Sequence, residues 1–161
     1  MDGTLLNRQK EVSPYTRKVL AKWCDAGHKF VLCSGRDINN LKSVKSSLAL
    51  NYQGMYLIGY NGGEIYDCEH QKTLYRIGLT HAQVAHVAEL AATFGIHFHT
   101  YSQTSIVSPK SDEGLTYYRR FIDTPTIIAP DIFSALDVDP CKCLLIERQD
   151  TARLEELRLA L

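Results

Sequence analysis

The sequence has no excess of either charge: 18 lysines and arginines face 18 aspartates and glutamates among 161 residues. A nucleic acid or an anionic membrane surface is usually met by a basic excess, so neither is expected as a partner. No apolar run approaches the roughly 18 residues that a membrane-spanning helix needs. Met1-Asp2-Gly3-Thr4 opens without the basic stretch and apolar segment of a secretory leader. Internal repeats and low-complexity tracts are missing as well. With 45% hydrophobic and 22% charged residues, the composition excludes disorder and points to a globular, cytoplasmic protein of one domain or one and a half.

Cysteine lacks pattern. Cys24, Cys33, Cys68, Cys141 and Cys143 are odd in number, scattered, and contain no Cys-x-x-Cys pair, which reads as reduced thiols. Cys141 and Cys143 alternate on one side of a strand, and no second pair completes the four ligands of a zinc site. Four histidines could suggest a metal centre. His81 and His86 fall on a helix and His97 and His99 alternate on a strand, so exposed positions are expected for all four.

What is present is a regular alternation of elements. Ser13-Pro14 predicts a helix start, with Val19, Leu20 and Trp23 as its apolar stripe and Gly27 as its stop. Phe30-Val31-Leu32-Cys33 is a continuous apolar run, expected to be a strand buried on both faces. A helix carrying Ile38, Leu41, Val44 and Leu48 follows, then a strand over 55–58, so residues 12–60 read α-β-α-β. A hairpin is expected around the polar loop 67–72. Beyond it, Thr80 and Gln83 form a capping box for a helix ended by Gly95. Residues 96–101 alternate apolar and polar, predicting a sheet with one wetter face, and Thr104 to Val107 can pair with them. A helix near 115–122, a proline-punctuated stretch, a strand over 142–146 and a helix capped by Asp150 complete the chain. The expected division is 1–78 and 79–161.

Three polar segments carry the chemistry. Asp2-Gly3-Thr4-Leu5-Leu6 is turn chemistry. Ser34-Gly35-Arg36 ends a buried strand and precedes a helix, where a hydroxyl and backbone N–H groups can face a phosphate. Arg36 adds a guanidinium suited to bidentate oxyanion binding. Asn61-Gly62-Gly63 repeats the theme at the end of the next strand. Polar strand ends on one rim of a parallel sheet suit a phosphate-ester site.

In order and spacing these segments resemble the Cof-type (HAD-IIB) branch of the haloacid dehalogenase superfamily of phosphatases. Asp2-Gly3-Thr4-Leu5-Leu6 matches its first motif from the third residue onward, Ser34 its second, within the branch's Ser-Gly-Arg, and Asn61-Gly62 its Asn-Gly before the hairpin. The resemblance implies an α/β fold: a partial Rossmann-like core, a parallel sheet with flanking helices, plus the first part of an α/β cap domain. It implies Mg²⁺-dependent hydrolysis of small phosphorylated metabolites, such as sugar phosphates, through an aspartyl-phosphate. Asp2 is implied as general acid/base and, through its backbone carbonyl, as a metal ligand. Ser34 is implied as the residue that hydrogen-bonds the transferring phosphoryl group, with Thr4, Gly35, Arg36, Asn61 and Gly62 as phosphate or substrate contacts.

The sequence also departs from the family's pattern. The nucleophilic aspartate belongs two positions before Asp2, and the third and fourth motifs belong beyond Leu161. Lys110, Lys142, Asp137 and Asp139 do not fill those roles, and Tyr117, Tyr118, Arg119 and Arg120 read as amphipathic cap surface. The chain is therefore expected to be an interior piece, inactive by itself and aggregation-prone or partly molten in isolation. A non-catalytic phosphate-ester-binding remnant and a HAD-type phosphosugar mutase remain as alternatives.

Overall fold

The computed structural model describes residues 4–161. The chain divides into two compact units, Met1–Arg76 and Ile77–Leu161.

The first unit contains α1 (Pro14–Asp25), β1 (Phe30–Cys33), α2 (Ile38–Ser47), β2 (Met55–Gly59), β3 (Glu64–Asp67) and β4 (Lys72–Arg76). Its sheet has the order β1-β2-β3-β4, with β1 and β2 parallel and the rest antiparallel. The helix starts follow local chemistry. Ser13 accepts from the Thr16 N–H, with Pro14 in the first turn, where a missing N–H costs nothing. The core gathers Leu32 from β1, Ile38 and Leu41 from α2, and Met55 and Leu57 from β2. At the hairpin, the Asp67 carboxylate accepts from the N–H groups of Glu69 and His70 and lies 2.8 Å from His70 Nδ1. The His70 hydrogen bond holds the Asp67 carboxyl below its ordinary pKa.

Burial on both faces of β1 is not observed. Leu32 is buried, but Val31 is 43% exposed and Cys33 is exposed as well. Among the described residues β1 is the first strand in the sheet order, and one of its faces has no cover. The apolar stripe of α1 is likewise open: Val19 and Trp23 are exposed, and no residue of that helix is buried.

The second unit contains α3 (His81–Thr93), β5 (His97–Tyr101), β6 (Ile106–Ser108), α4 (Glu113–Tyr118), β7 (Thr126–Ile128), β8 (Cys143–Ile146) and α5 (Thr151–Ala160). The Thr80–Gln83 capping box forms with both of its hydrogen bonds. The sheet order is β7-β6-β5-β8. Val84 and Ala91 of α3 pack with Phe98, Val107 and Ile132. β7 lies inside the proline-punctuated stretch and pairs parallel to β6, a partnership that local sequence does not announce.

The wetter face expected on β5 is absent. Every residue of β5 is buried, His97 and His99 included, whereas His81 and His86 on α3 are exposed as expected. The cover is α4, which packs on β5 so closely that a Cβ on Gly114 would collide with the Cβ and Cγ of His97. Gly114→Ala is accordingly expected to destabilise the second unit by about 1–3 kcal/mol. An unchanged urea-unfolding midpoint would show that α4 does not rest on His97.

Candidate functional site at the ends of β1 and β2

The carboxyl ends of the two parallel strands are stitched together by backbone hydrogen bonds. Ser34 N–H donates to the Ile58 carbonyl at 2.9 Å, Asn61 N–H to the Ser34 carbonyl at 3.2 Å, and Tyr60 N–H to the Arg36 carbonyl at 2.9 Å. This brings Ser34, Gly35, Arg36 and Asn61 into one cluster. The chain turns back after β2 through three left-handed residues in succession, Tyr60 (φ 52°), Asn61 (φ 59°) and Gly62 (φ 109°). Such values are uncommon for a bulky residue like Tyr60 and mark a constrained turn.

Gly35 and Asn61 are in direct apposition. A Cβ on Gly35 would sit 2.6 Å from Asn61 Oδ1, so only glycine leaves the amide in place. The Ser34 hydroxyl, half-buried, accepts from Arg36 N–H at 3.3 Å. Arg36 Nη1 donates to Asn40 Oδ1 at 2.7 Å, which directs the guanidinium toward the first turn of α2. Capping of α2 falls to Asp37, whose buried carboxylate accepts from the Asn40 N–H at 2.8 Å. From the sequence Asp37 is expected only as the last residue of the turn that begins at Ser34, and Asn40 has no part in the expectations. An aspartate three residues ahead of Asn40, after an apolar run, is the signal that locates the helix start there.

Thr4 is exposed and lines an open hollow of about 400 Å³ with residues of the following loop, including Asn7 and Arg8. None of the Ser34 cluster lines that hollow. Asp2, the implied acid/base and metal ligand, lies outside the described residues. Among the described residues, no group of three or more His, Cys, Asp or Glu side chains could hold a metal ion.

Two parallel strand ends, a hydroxyl, a glycine and an amide held by backbone bonds form a small polar rim. A family model described as haloacid dehalogenase-like hydrolase matches residues 1–161. The chain belongs to that family. YxeH of Bacillus subtilis is 28% identical over 123 residues, 76% of this chain and 46% of that protein. The 5-amino-6-(5-phospho-D-ribitylamino)uracil phosphatase YwtE of the same bacterium is 26% identical over 113 residues, 70% of this chain and 37% of the relative. A solved haloacid dehalogenase-like hydrolase from Bacteroides thetaiotaomicron superposes with a TM-score of 0.83 at 28% identity, covering 99% of this chain and 59% of that one. The chain thus spans less than half the length of these curated relatives. The solved HAD subclass IIB sugar phosphatase BT4131 shares the fold, with a TM-score of 0.69 at 16% identity.

Proposed function

We propose that the whole protein is a cytoplasmic phosphate-monoester hydrolase acting on a small phosphorylated metabolite, with neither nucleic acid nor membrane as partner. The observation that carries this reading is the joining of Ser34, Gly35 and Asn61 at the ends of adjacent parallel strands, in a chain of this family. Phosphoryl transfer depends mainly on positioning and charge stabilisation. The Ser34 hydroxyl can donate to a phosphoryl oxygen while its lone pair keeps the Arg36 N–H. The Asn61 amide, fixed against Gly35, offers N–H donors on the same rim. No helix among the described residues is long and apolar enough to cross a membrane.

Mg²⁺ is proposed as cofactor on family membership alone. The described residues do not supply a ligand set for it. Asp2 is retained as the proposed acid/base, and inactivity of the 161-residue chain by itself remains part of the proposal.

The test is hydrolysis of p-nitrophenyl phosphate and of a panel of sugar phosphates by the whole protein with Mg²⁺. Turnover that Asp2→Ala abolishes supports the reading; its absence across the panel favours a phosphate-binding remnant. Gly35→Ala probes the rim separately. The added methyl displaces the Asn61 amide, so phosphate-ester turnover is expected to fall at least tenfold. The cost to stability should stay within about 1–3 kcal/mol. A Gly35→Ala variant with parental kinetics would remove Asn61 from the site.

A further inference from the structure

The end of β2 has no room to move. A Cβ on Gly59 would lie 2.8 Å from Ile38 Cδ1 and 3.1 Å from the Arg36 carbonyl oxygen, so the strand end is pressed against the start of α2. Gly59 is also paired with Glu64 of β3, and the chain must reverse within the four residues Tyr60-Asn61-Gly62-Gly63. Turns with positive φ at successive positions are ordinarily built from asparagine and glycine. Asn61 and Gly62 conform. Tyr60, at φ 52°, does not. Gly63, at φ −68° and ψ −22°, is right-handed, a conformation that asks for no glycine. A position that favours glycine therefore holds a tyrosine.

The left-handed tyrosine decides where the next amide points. In an extended chain, consecutive N–H groups point to opposite sides. Here those of Tyr60 and Asn61 both turn to the loop that follows β1. Tyr60 N–H donates to the Arg36 carbonyl at 2.9 Å, and Asn61 N–H to the Ser34 carbonyl at 3.2 Å. An extended Tyr60 would aim the Asn61 N–H away from Ser34, and the second bond would be lost. The same turn seats the Asn61 side chain on Gly35, where an added Cβ would lie 2.6 Å from Oδ1.

A left-handed backbone is costly for a residue with a Cβ and persists where the surroundings over-determine it. Tyr60 is the one buried residue of the turn, 7% exposed, whereas Asn61 and Gly62 are exposed. Glycine would adopt the same φ without cost, but it would adopt negative values about as readily. A buried side chain removes that freedom. The turn therefore has its anchor below the surface and its polar amide above.

We propose that Tyr60 is a positioning residue of the rim: its buried ring locks the left-handed turn that fixes Asn61 against Gly35 and ties down the loop from Ser34 to Arg36. Tyr60 acts through Asn61 and Ser34 rather than on the substrate. The inference deepens the phosphatase reading and rests on it for the effect on turnover, whereas the effect on the turn is measured without substrate.

Tyr60→Gly in the whole protein is the test. In backbone hydrogen exchange without substrate, protection of the Asn61 amide is expected to fall about tenfold or more. The Ser34 amide, which bonds Ile58 and not the turn, should keep its protection. With a phosphate ester, kcat should fall about tenfold or more while KM changes by less than about threefold, because misplaced donors are missed mainly in the transition state. A merely structural Tyr60 would lower the unfolding midpoint and the protection of both amides together, and leave kcat of the folded enzyme in place. Tyr60→Phe keeps the ring and should restore Asn61 protection and kcat, a result that can be read even where the glycine variant does not fold. Three results would overturn the inference: parental Asn61 protection in Tyr60→Gly, parental kcat in that variant, or loss of Asn61 protection in Tyr60→Phe. A parent without turnover is a separate failure. It removes the phosphatase reading, while exchange at Asn61 still tells whether Tyr60 locks the turn.

Discussion

Replacing Ser34 by alanine is expected to lower kcat/KM for a phosphate ester in the whole protein by about 100- to 1,000-fold, the usual consequence of removing one fixed donor to a transferring oxyanion. Stability should barely register the change. The side chain is half-buried and its hydroxyl accepts one long bond, from Arg36 N–H at 3.3 Å, worth about 0.5–1.5 kcal/mol. The strand ends are held by the Ser34 main chain, bonded to Ile58 and Asn61, which alanine preserves. A large loss of turnover with a nearly unchanged unfolding midpoint therefore separates a phosphoryl contact from a structural one. Ser34→Thr keeps the hydroxyl and should retain most of the activity. If Ser34→Ala stays within about threefold of the parent, far from the loss of a fixed donor, the hydroxyl plays no part in the reaction and the rim loses its principal group.

Arg36 is the instructive contrast with Ser34. Sequence places both in one tripeptide and suggests oxyanion binding for both, yet Arg36 Nη1 is engaged by Asn40. The pairing depends on α2 starting at Ile38, which puts Asn40 within reach. Which way a long side chain turns is decided by a neighbour four residues along the chain, and the tripeptide alone holds no record of it.

The same distinction between local and distant causes explains what could be read in advance. Helix starts at Ser13, Thr80 and Asp150 were legible because each cap bonds a backbone N–H within three residues of itself. The parallel pair β1–β2 and the hairpin followed from apolar runs separated by a helix or by a polar loop. Exposure was harder. The pattern of residues 96–101 is that of a half-wet strand, and the strand is nevertheless dry. Its polar side chains find partners in Asp112 and Tyr118, which lie outside the strand's own sequence. Conversely, the unbroken apolar run of β1 suggests cover on both faces, which the described residues do not provide. Alternation reports what a strand can bury; a distant helix decides what it does bury. At the candidate site, the meeting of Ser34 with Asn61 was implied by two strand ends in sequence. The left-handed turn at Tyr60 was not, because tyrosine has no preference for that conformation. Asp2 lies outside the described residues, so its convergence with Ser34 belongs to the proposal.

Acidification is expected to destabilise the second unit well before the pH at which ordinary carboxylates protonate. His99 is buried as the neutral base and its pKa falls from 6.5 to about 3. A histidine that titrates near 6.5 when unfolded binds more protons in the unfolded state at every pH between those values. Its contribution to stability is therefore complete above about pH 6.5 and declines as the pH falls through that window, by up to about 1.4 kcal/mol per pH unit. Asp112 acts in the same direction at the acid end. Its bonds to Leu115 N–H and His97 hold its carboxyl below the ordinary aspartate value, so its contribution is present above about pH 4 and lost below. Urea unfolding followed by the tyrosine near-ultraviolet signal should show a midpoint that drops steadily from about pH 6.5 to about pH 4. His99→Gln keeps a neutral amide at the same place. Its unfolding midpoint should be lower than the parent's at neutral pH, because an amide cannot bond both neighbours in the imidazole's geometry, and nearly flat across the same pH range. A parental slope in His99→Gln would assign the acid sensitivity to other groups and end the claim that His99 is buried neutral.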